Sequence, residues 1–278
     1  MKKVILAAIV VVMALTGVFA MVGCNKDSYV GVSAQVDLLK ELQSNKIDVG
    51  VMDSVMAGYY MTQDSSAASQ LQIVENVILA EEEYGIGFRK GSALADKVNT
   101  TLAKLSANGA ITRIATKYGL ANEILSCEYT SKWEQIEDKS DWNKIVEKGE
   151  VVVGYTLFAP IAYKDEKDQL IGFDTELAKA VFEELGLTVK FQEIEWNTKE
   201  VELNAGRIDC IWNGMTITEE RKENMEMSVA YMANKQVAVI RKADASKYTT
   251  KESLKEGKLA AESGSAGEDV IKELLGIE

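Results

Sequence analysis

The chain has 278 residues, with 31 Lys and Arg against 43 Asp and Glu, no histidine, and a net charge of −12 at pH 7. An acidic chain without a basic stripe excludes nucleic acid as a partner. The missing histidine removes the commonest general base and metal ligand, so no metal, cofactor or catalytic residue is expected.

The predicted elements begin with a leader. Lys2 and Lys3 precede an apolar run over residues 4–22, closed by Gly23 and Cys24 with the polar Asn25 after it. That is the pattern of an export signal, although a run of this length could also span a bilayer uncleaved. The segment Met21-Val22-Gly23-Cys24 resembles the lipobox of bacterial lipoproteins, which implies that Cys24 is lipidated and becomes the mature N-terminus; Met21 stands where leucine is more usual. Next comes a strand over residues 47–51, with Asp53 at its carboxyl end, where open α/β sheets bind ligands. A helix-capping aspartate is the alternative. Cys127 and Cys210 could pair in an oxidising exterior, but Cys210 lies in an apolar run and reads as a buried free thiol.

A strand over 151–155 is followed by Phe158 in a loop beside Ala159-Pro160, where an aromatic serves either the core or a cleft. Phe173, Leu177, Ala180, Val181 and Leu185 share one helix face, and Gly186 stands at its C-terminal stop. Another strand opens after Ile208-Asp209. This alternation of strand and helix predicts a parallel sheet in an α/β fold. Thr218 reads as an N-cap with Glu219 and Glu220 suited to a helix's positive end, whereas Arg221 opposes that dipole and calls for an anion. A last strand over 258–261 leads into the loop 263–268, with Ser265 and Glu268 spaced as a capping box and free amides that attract anions.

The chain also repeats itself. Glu202-Leu203-Asn204-Ala205-Gly206-Arg207-Ile208-Asp209 matches Glu41-Leu42-Gln43-Ser44-Asn45-Lys46-Ile47-Asp48, and residues 148–155 match 256–263. The second copy opens at the C-terminus and closes at the N-terminus, as circular permutation would leave it. The expected architecture is a continuous lobe over 90–233 and a split lobe made of 25–89 and 234–278. Two crossings, near Lys90 and Asn234, would then form a hinge with a ligand cleft between the lobes.

Gly172-Phe173-Asp174-Thr175-Glu176-Leu177-Ala178, Asn213-Gly214-Met215-Thr216-Ile217-Thr218-Glu219-Glu220-Arg221, Ala261-Glu262-Ser263-Gly264-Ser265-Ala266-Gly267 and Lys46-Ile47-Asp48-Val49-Gly50-Val51-Met52-Asp53 together resemble the polar amino-acid-binding proteins of ATP-driven (ABC) importers. After rotation the resemblance covers residues 30–278. It implies a two-lobed, periplasmic-binding-protein-like (Venus flytrap) fold, an amino acid as ligand, a membrane permease as partner, and attachment to the extracellular face of the cell membrane through the lipid. By resemblance, Arg221 holds the ligand's α-carboxylate and Asp53 its ammonium. Ser265 and Ala266 add backbone amides, Ala266 replacing a common hydroxyl residue. Gly214 and Thr216 add a carbonyl and a hydroxyl or amide, with Asn213 beside them. Phe158 lies along the side chain, and Glu262, where the family varies its specificity, points to a basic or amide-bearing ligand. Some relatives of this fold are cyclohexadienyl dehydratases, in which Glu262 could act as general acid, although Asp53 would repel the second carboxylate of such a substrate.

Overall fold

The computed structural model describes residues 29–277. The leader and Cys24 lie outside the described residues, and among those described no helix is long and apolar enough to cross a membrane.

In chain order the first elements are β1 (Val30–Val32), α1 (Asp37–Gln43), β2 (Val49–Asp53), α2 (Ser54–Gln63), α3 (Ser65–Gln70) and β3 (Leu71–Phe88). Helices α4 (Ala93–Ala107), α5 (Ala110–Lys117) and α6 (Ser140–Lys148) follow, then β4 (Glu150–Tyr155), β5 (Tyr163–Lys164), β6 (Leu170–Ile171), α7 (Phe173–Glu184) and β7 (Thr188–Glu193). The chain ends with α8 (Lys199–Asn204), β8 (Cys210–Thr216), α9 (Glu219–Asn224), β9 (Glu226–Met227), β10 (Met232–Arg241), α10 (Lys251–Leu254), β11 (Leu259–Glu262) and α11 (Ala266–Leu275). Helices and strands alternate as the sequence predicts, and the fold is mixed α/β.

The main sheet runs β1-β11-β2-β10-β3-β8-β4-β7. It has two halves with one plan. In the first, β4 lies parallel between β7 and β8, and β8 pairs antiparallel with the 84–88 end of β3. In the second, β11 lies parallel between β1 and β2, and β2 pairs antiparallel with β10. The chain passes between the halves along β3 and at the start of β10, and these two passages pair with each other, Asn234 opposite Glu82 and Gln236 opposite Ala80.

The repeat is visible atom by atom. Arg89 Nη1 donates to the carbonyls of Leu203 and Ile208, and its Nη2 to Asp209. Arg241 Nη1 donates to those of Leu42 and Ile47, and its Nη2 to Asp48. The second carboxylate oxygen accepts from Val152 N in one half and Lys258 N in the other. The match of 202–209 to 41–48 therefore holds residue for residue. The other match is corrected by two residues: Val152 corresponds to Lys258, not Ala260. A two-residue slip leaves every strand side chain on its own face, so the apolar pattern cannot detect it. Each arginine ties a strand end to the preceding helix by donating to one carbonyl from each. Arg241→Ala is expected to lower stability by about 2–4 kcal/mol, because the Ile47 carbonyl and one Asp48 oxygen lose the guanidinium and the Leu42 carbonyl loses its second donor; urea unfolding measures it, and a change within ±0.5 kcal/mol would contradict this role.

Packing follows the predicted face of α7: Phe173, Leu177 and Val181 are buried, Ala180 and Leu185 half-buried against the core, and Gly186 takes φ +72° just past the end. Cys127 and Cys210 are buried free thiols. The segment before α6 is held to α4 by Asp96, which accepts from Tyr129 Oη, Ser131 Oγ and Lys132 N. Lys97 adds a cation 3.5 Å from the Trp133 ring centroid.

Candidate functional site

A cavity lies where the two halves of the sheet face each other. It is lined by Arg221, Asp53, Gly214, Thr216, Phe158, Asn213, Ser265, Ala266 and Glu262, so all nine residues singled out from the sequence come together. Gln35, Met56, Thr156, Leu157, Trp196 and Gln236 also line it and were not foreseen. Its volume is about 20 Å³. That admits a water-sized body and not an amino acid.

One end is cationic. Thr218 caps α9 by accepting from Arg221 N, as expected. The Arg221 side chain turns back to β8, where Nη1 donates to the Thr216 carbonyl at 2.7 Å, and Nη2 reaches the Gly264 carbonyl of the facing half at 3.5 Å. Lys199 Nζ donates to the same Gly264 carbonyl at 3.0 Å and to Trp196 O at 3.3 Å. Burial pushes the Lys199 ammonium down to about 8, and the neighbouring Arg221 charge pushes the same way. Both cations are nearly fully buried, and among the described residues neither is ion-paired. Gly264 has φ +73°, and a Cβ on it would lie 3.1 Å from Asn197 Cα, so the loop tip meets the other half at backbone distance. The capping box is only half present. Ser265 Oγ accepts from Glu268 N, but the Glu268 carboxylate turns to Gly264 N instead of Ser265 N.

The other end is anionic. Asp53 sits at the N-cap place of α2 without making a side-chain cap, which removes the capping alternative. Its carboxylate accepts instead from Gln35 Nε2, Tyr84 Oη, Asn234 Nδ2 and Gln236 Nε2. Burial raises its pKa, and these donors oppose the rise. Glu82, on β3, takes the same two amides, Asn234 at 2.9 Å and Gln236 at 3.1 Å, together with the Thr216 hydroxyl at 3.2 Å. Burial, followed by the Asp53 charge, raises Glu82 to about 7. Glu262, at the end of β11, is raised to about 8 by the same two causes in the same order. Asn213 Oδ1 and Gln236 Oε1 are buried acceptors without a donor.

Gly214 makes the wall between the two ends possible. It takes φ +59°, and a Cβ there would lie 2.7 Å from the Phe158 ring and 3.0 Å from Tyr84. Its N–H is fixed by Asp174 Oδ2 at 2.7 Å, and the same oxygen accepts from Tyr231 Oη.

A buried guanidinium at one end and a buried carboxylate at the other, each lacking a counter-ion, are the complement of a zwitterion. The chain is similar to several known proteins. Residues 151–265 match the bacterial extracellular solute-binding proteins, family 3. A probable ABC transporter extracellular-binding protein of Bacillus subtilis is 30% identical over 149 residues, which cover 52% of this chain and 51% of that protein. An arginine-binding extracellular protein of the same organism is 35% identical over 118 residues, covering 42% and 45%. The chain thus spans about half the length of the curated relatives it matches. Among solved structures, an ABC uptake transporter substrate-binding protein from Streptococcus pneumoniae with bound histidine is 41% identical over 30% of this chain and 35% of that one, with a TM-score of 0.30.

Proposed function

We propose that this protein captures a polar α-amino acid between the two halves of its sheet and delivers it to the membrane permease of an ABC importer. The observation that carries this reading is the pair of opposed, unpaired charges in one cavity, Arg221 against Asp53. In this reading Arg221 holds the α-carboxylate as a planar two-point donor, since Arg has five N–H groups and only two are engaged by carbonyls. The Ser265 and Ala266 amides and Thr216 complete that end. The ammonium goes to Asp53 and the Gly214 carbonyl, and the ligand's side chain lies along Phe158 and Asn213 toward Glu262. A carboxyl there suits a basic or amide-bearing side chain, and the relatives named above include an arginine binder and a structure with bound histidine. Ligand binding stabilises closure only to the extent that the ligand prefers the closed form. We read the order of the chain as a rotation of the two-lobed plan, supported by the paired Arg89 and Arg241 ties, with lobes 90–233 and 25–89 plus 234–278. Lipidation of Cys24 would hold the protein at the extracellular face of the membrane.

A second reading is a dehydratase of cyclohexadienyl acids. It draws on Glu262, a buried carboxyl that stays protonated at neutral pH and so could give up a proton. Asp53 and Glu82 count against it, because they oppose a dianionic substrate. A thermal-shift screen of the purified protein against the twenty amino acids, prephenate and arogenate separates the two. A ligand at about a hundredfold excess over its Kd is expected to raise Tm by roughly 5–10 °C. Response to one class of amino acid without turnover supports the importer reading; response only to prephenate or arogenate, with product formed, supports the dehydratase.

A further inference from the structure

Glu82 belongs to neither end of the cavity by contact, yet it is bonded to both halves of the protein. It stands on β3 where the chain passes between the halves, and its partner in the sheet, Asn234, stands on the other passage. Its Oε2 accepts from Thr216 Oγ1 of β8 and from the amides of Asn234 and Gln236 on β10. Those two amides also donate to Asp53 Oδ1. Two buried carboxyls therefore compete for one pair of amide donors. Tyr84 on β3 faces the pair, bonded to Asp53. Arg221 of α9 acts on both from further away. Glu81, Glu83, Lys222, Lys235, Asp269 and Glu273 line a hollow that Glu82 also lines, and Glu262 of β11 feels the Asp53 charge. No cation is ion-paired with either carboxyl among the described residues.

We propose that Glu82 is a positioning residue that ties the ammonium end of the cavity to the two connecting strands, and that the Asp53–Glu82 pair exchanges a proton for the ligand's ammonium on binding. Like charges sharing one set of donors cannot both ionise at low cost, so the pair retains a proton when no cation is near. An ammonium placed on Asp53 supplies the missing positive charge. The proton then leaves for the buffer, and Glu82 keeps its bonds to Thr216, Asn234 and Gln236 as a carboxylate. Occupancy of the cavity is thereby coupled to the hydrogen bonds that join the two halves.

The direction with pH follows from linkage. Glu82 titrates near 7 in the ligand-free protein and lower once the ammonium is in place. Protons therefore compete with ligand below pH 7, and affinity falls as pH falls, by about tenfold between pH 8 and pH 6.

This inference rests on the amino-acid reading, and one calorimetric series separates the two. Titrating the purified protein at pH 7 with the amino acid giving the largest thermal shift, in buffers of different ionisation enthalpy, counts the protons released. Glu82→Gln is expected to release about half a proton less than wild type and to flatten the pH profile. Glu262→Gln removes the other buried carboxyl at that end and is expected to keep the Glu82 share. Equal release from wild type and Glu82→Gln overturns the proposal. So does binding to Glu262→Gln at saturating ligand without any proton release, which decides the matter even if Glu82→Gln does not fold. Tight binding without proton exchange sinks only the role of Glu82, whereas no binding of any amino acid sinks the functional reading and this proposal with it.

Discussion

Arg221→Ala is expected to weaken amino-acid binding by about two to three and a half orders of magnitude. Among the described residues Arg221 is the only arginine lining the cavity, it is 6% exposed, and its two hydrogen bonds go to carbonyls and not to a carboxylate. Removing one partner of a desolvated, hydrogen-bonded charge pair costs about 3–5 kcal/mol, or two to three and a half orders of magnitude in Kd. Lys199 does not substitute, because it already serves two carbonyls and presents a point charge without the planar fork a carboxylate prefers. The ligand-free protein should not be destabilised, since the substitution also removes a buried cation that has no counter-ion. Calorimetric titration and melting of the variant check both parts. Micromolar affinity retained would remove Arg221 from the carboxylate role.

The second large effect belongs to Asp53. Asp53→Ala would strip the acceptor from Gln35, Tyr84, Asn234 and Gln236 together, so a loss of binding there would mix charge with collapse of the network. Asp53→Asn keeps the shape and removes the charge. It is expected to weaken binding at least a hundredfold, because the ammonium then faces a neutral amide at the place where it met a carboxylate, with the raised Glu262 carboxyl, hydroxyls and amide oxygens as the other side-chain acceptors of the cavity. A loss below about threefold, with folding intact, would show that the ammonium is held elsewhere.

The sequence carried the anchors of this site and little of their support. Arg221 was legible because a cation in the first turn of a helix contradicts the dipole, and Asp53 because a strand end in an α/β sheet is a ligand position; both reach the cavity. Gln35, Glu82, Asn234 and Gln236 were not legible, since Gln35 precedes α1, Glu82 lies on β3 and the other two lie on β10, and their meeting around Asp53 is a property of the assembled sheet. One signal was there to be used. Gln236 is a fully buried amide next to the apolar stretch Val237, Ala238, Val239 and Ile240, and a buried polar side chain in such a strand needs a partner. The Arg-Lys pairs at 89–90 and 241–242 were a second unused signal of the repeat, although they stand at different distances from Val152 and Lys258 and so leave that register open. Lys199 escaped because nothing in its neighbourhood distinguishes a buried lysine from a solvated one until the loop tip at Gly264 arrives from the other half.

The central claim is that the cavity recognises both charges of a free amino acid, and blocking each charge in turn tests it. The amino acid giving the largest thermal shift should be titrated into the purified protein beside its methyl ester, which lacks the carboxylate, and its N-acetyl derivative, which lacks the ammonium. Binding of the free amino acid with loss of at least a hundredfold for both derivatives is the predicted result. Either derivative binding as tightly as the parent would contradict the pairing of Arg221 and Asp53 across one ligand.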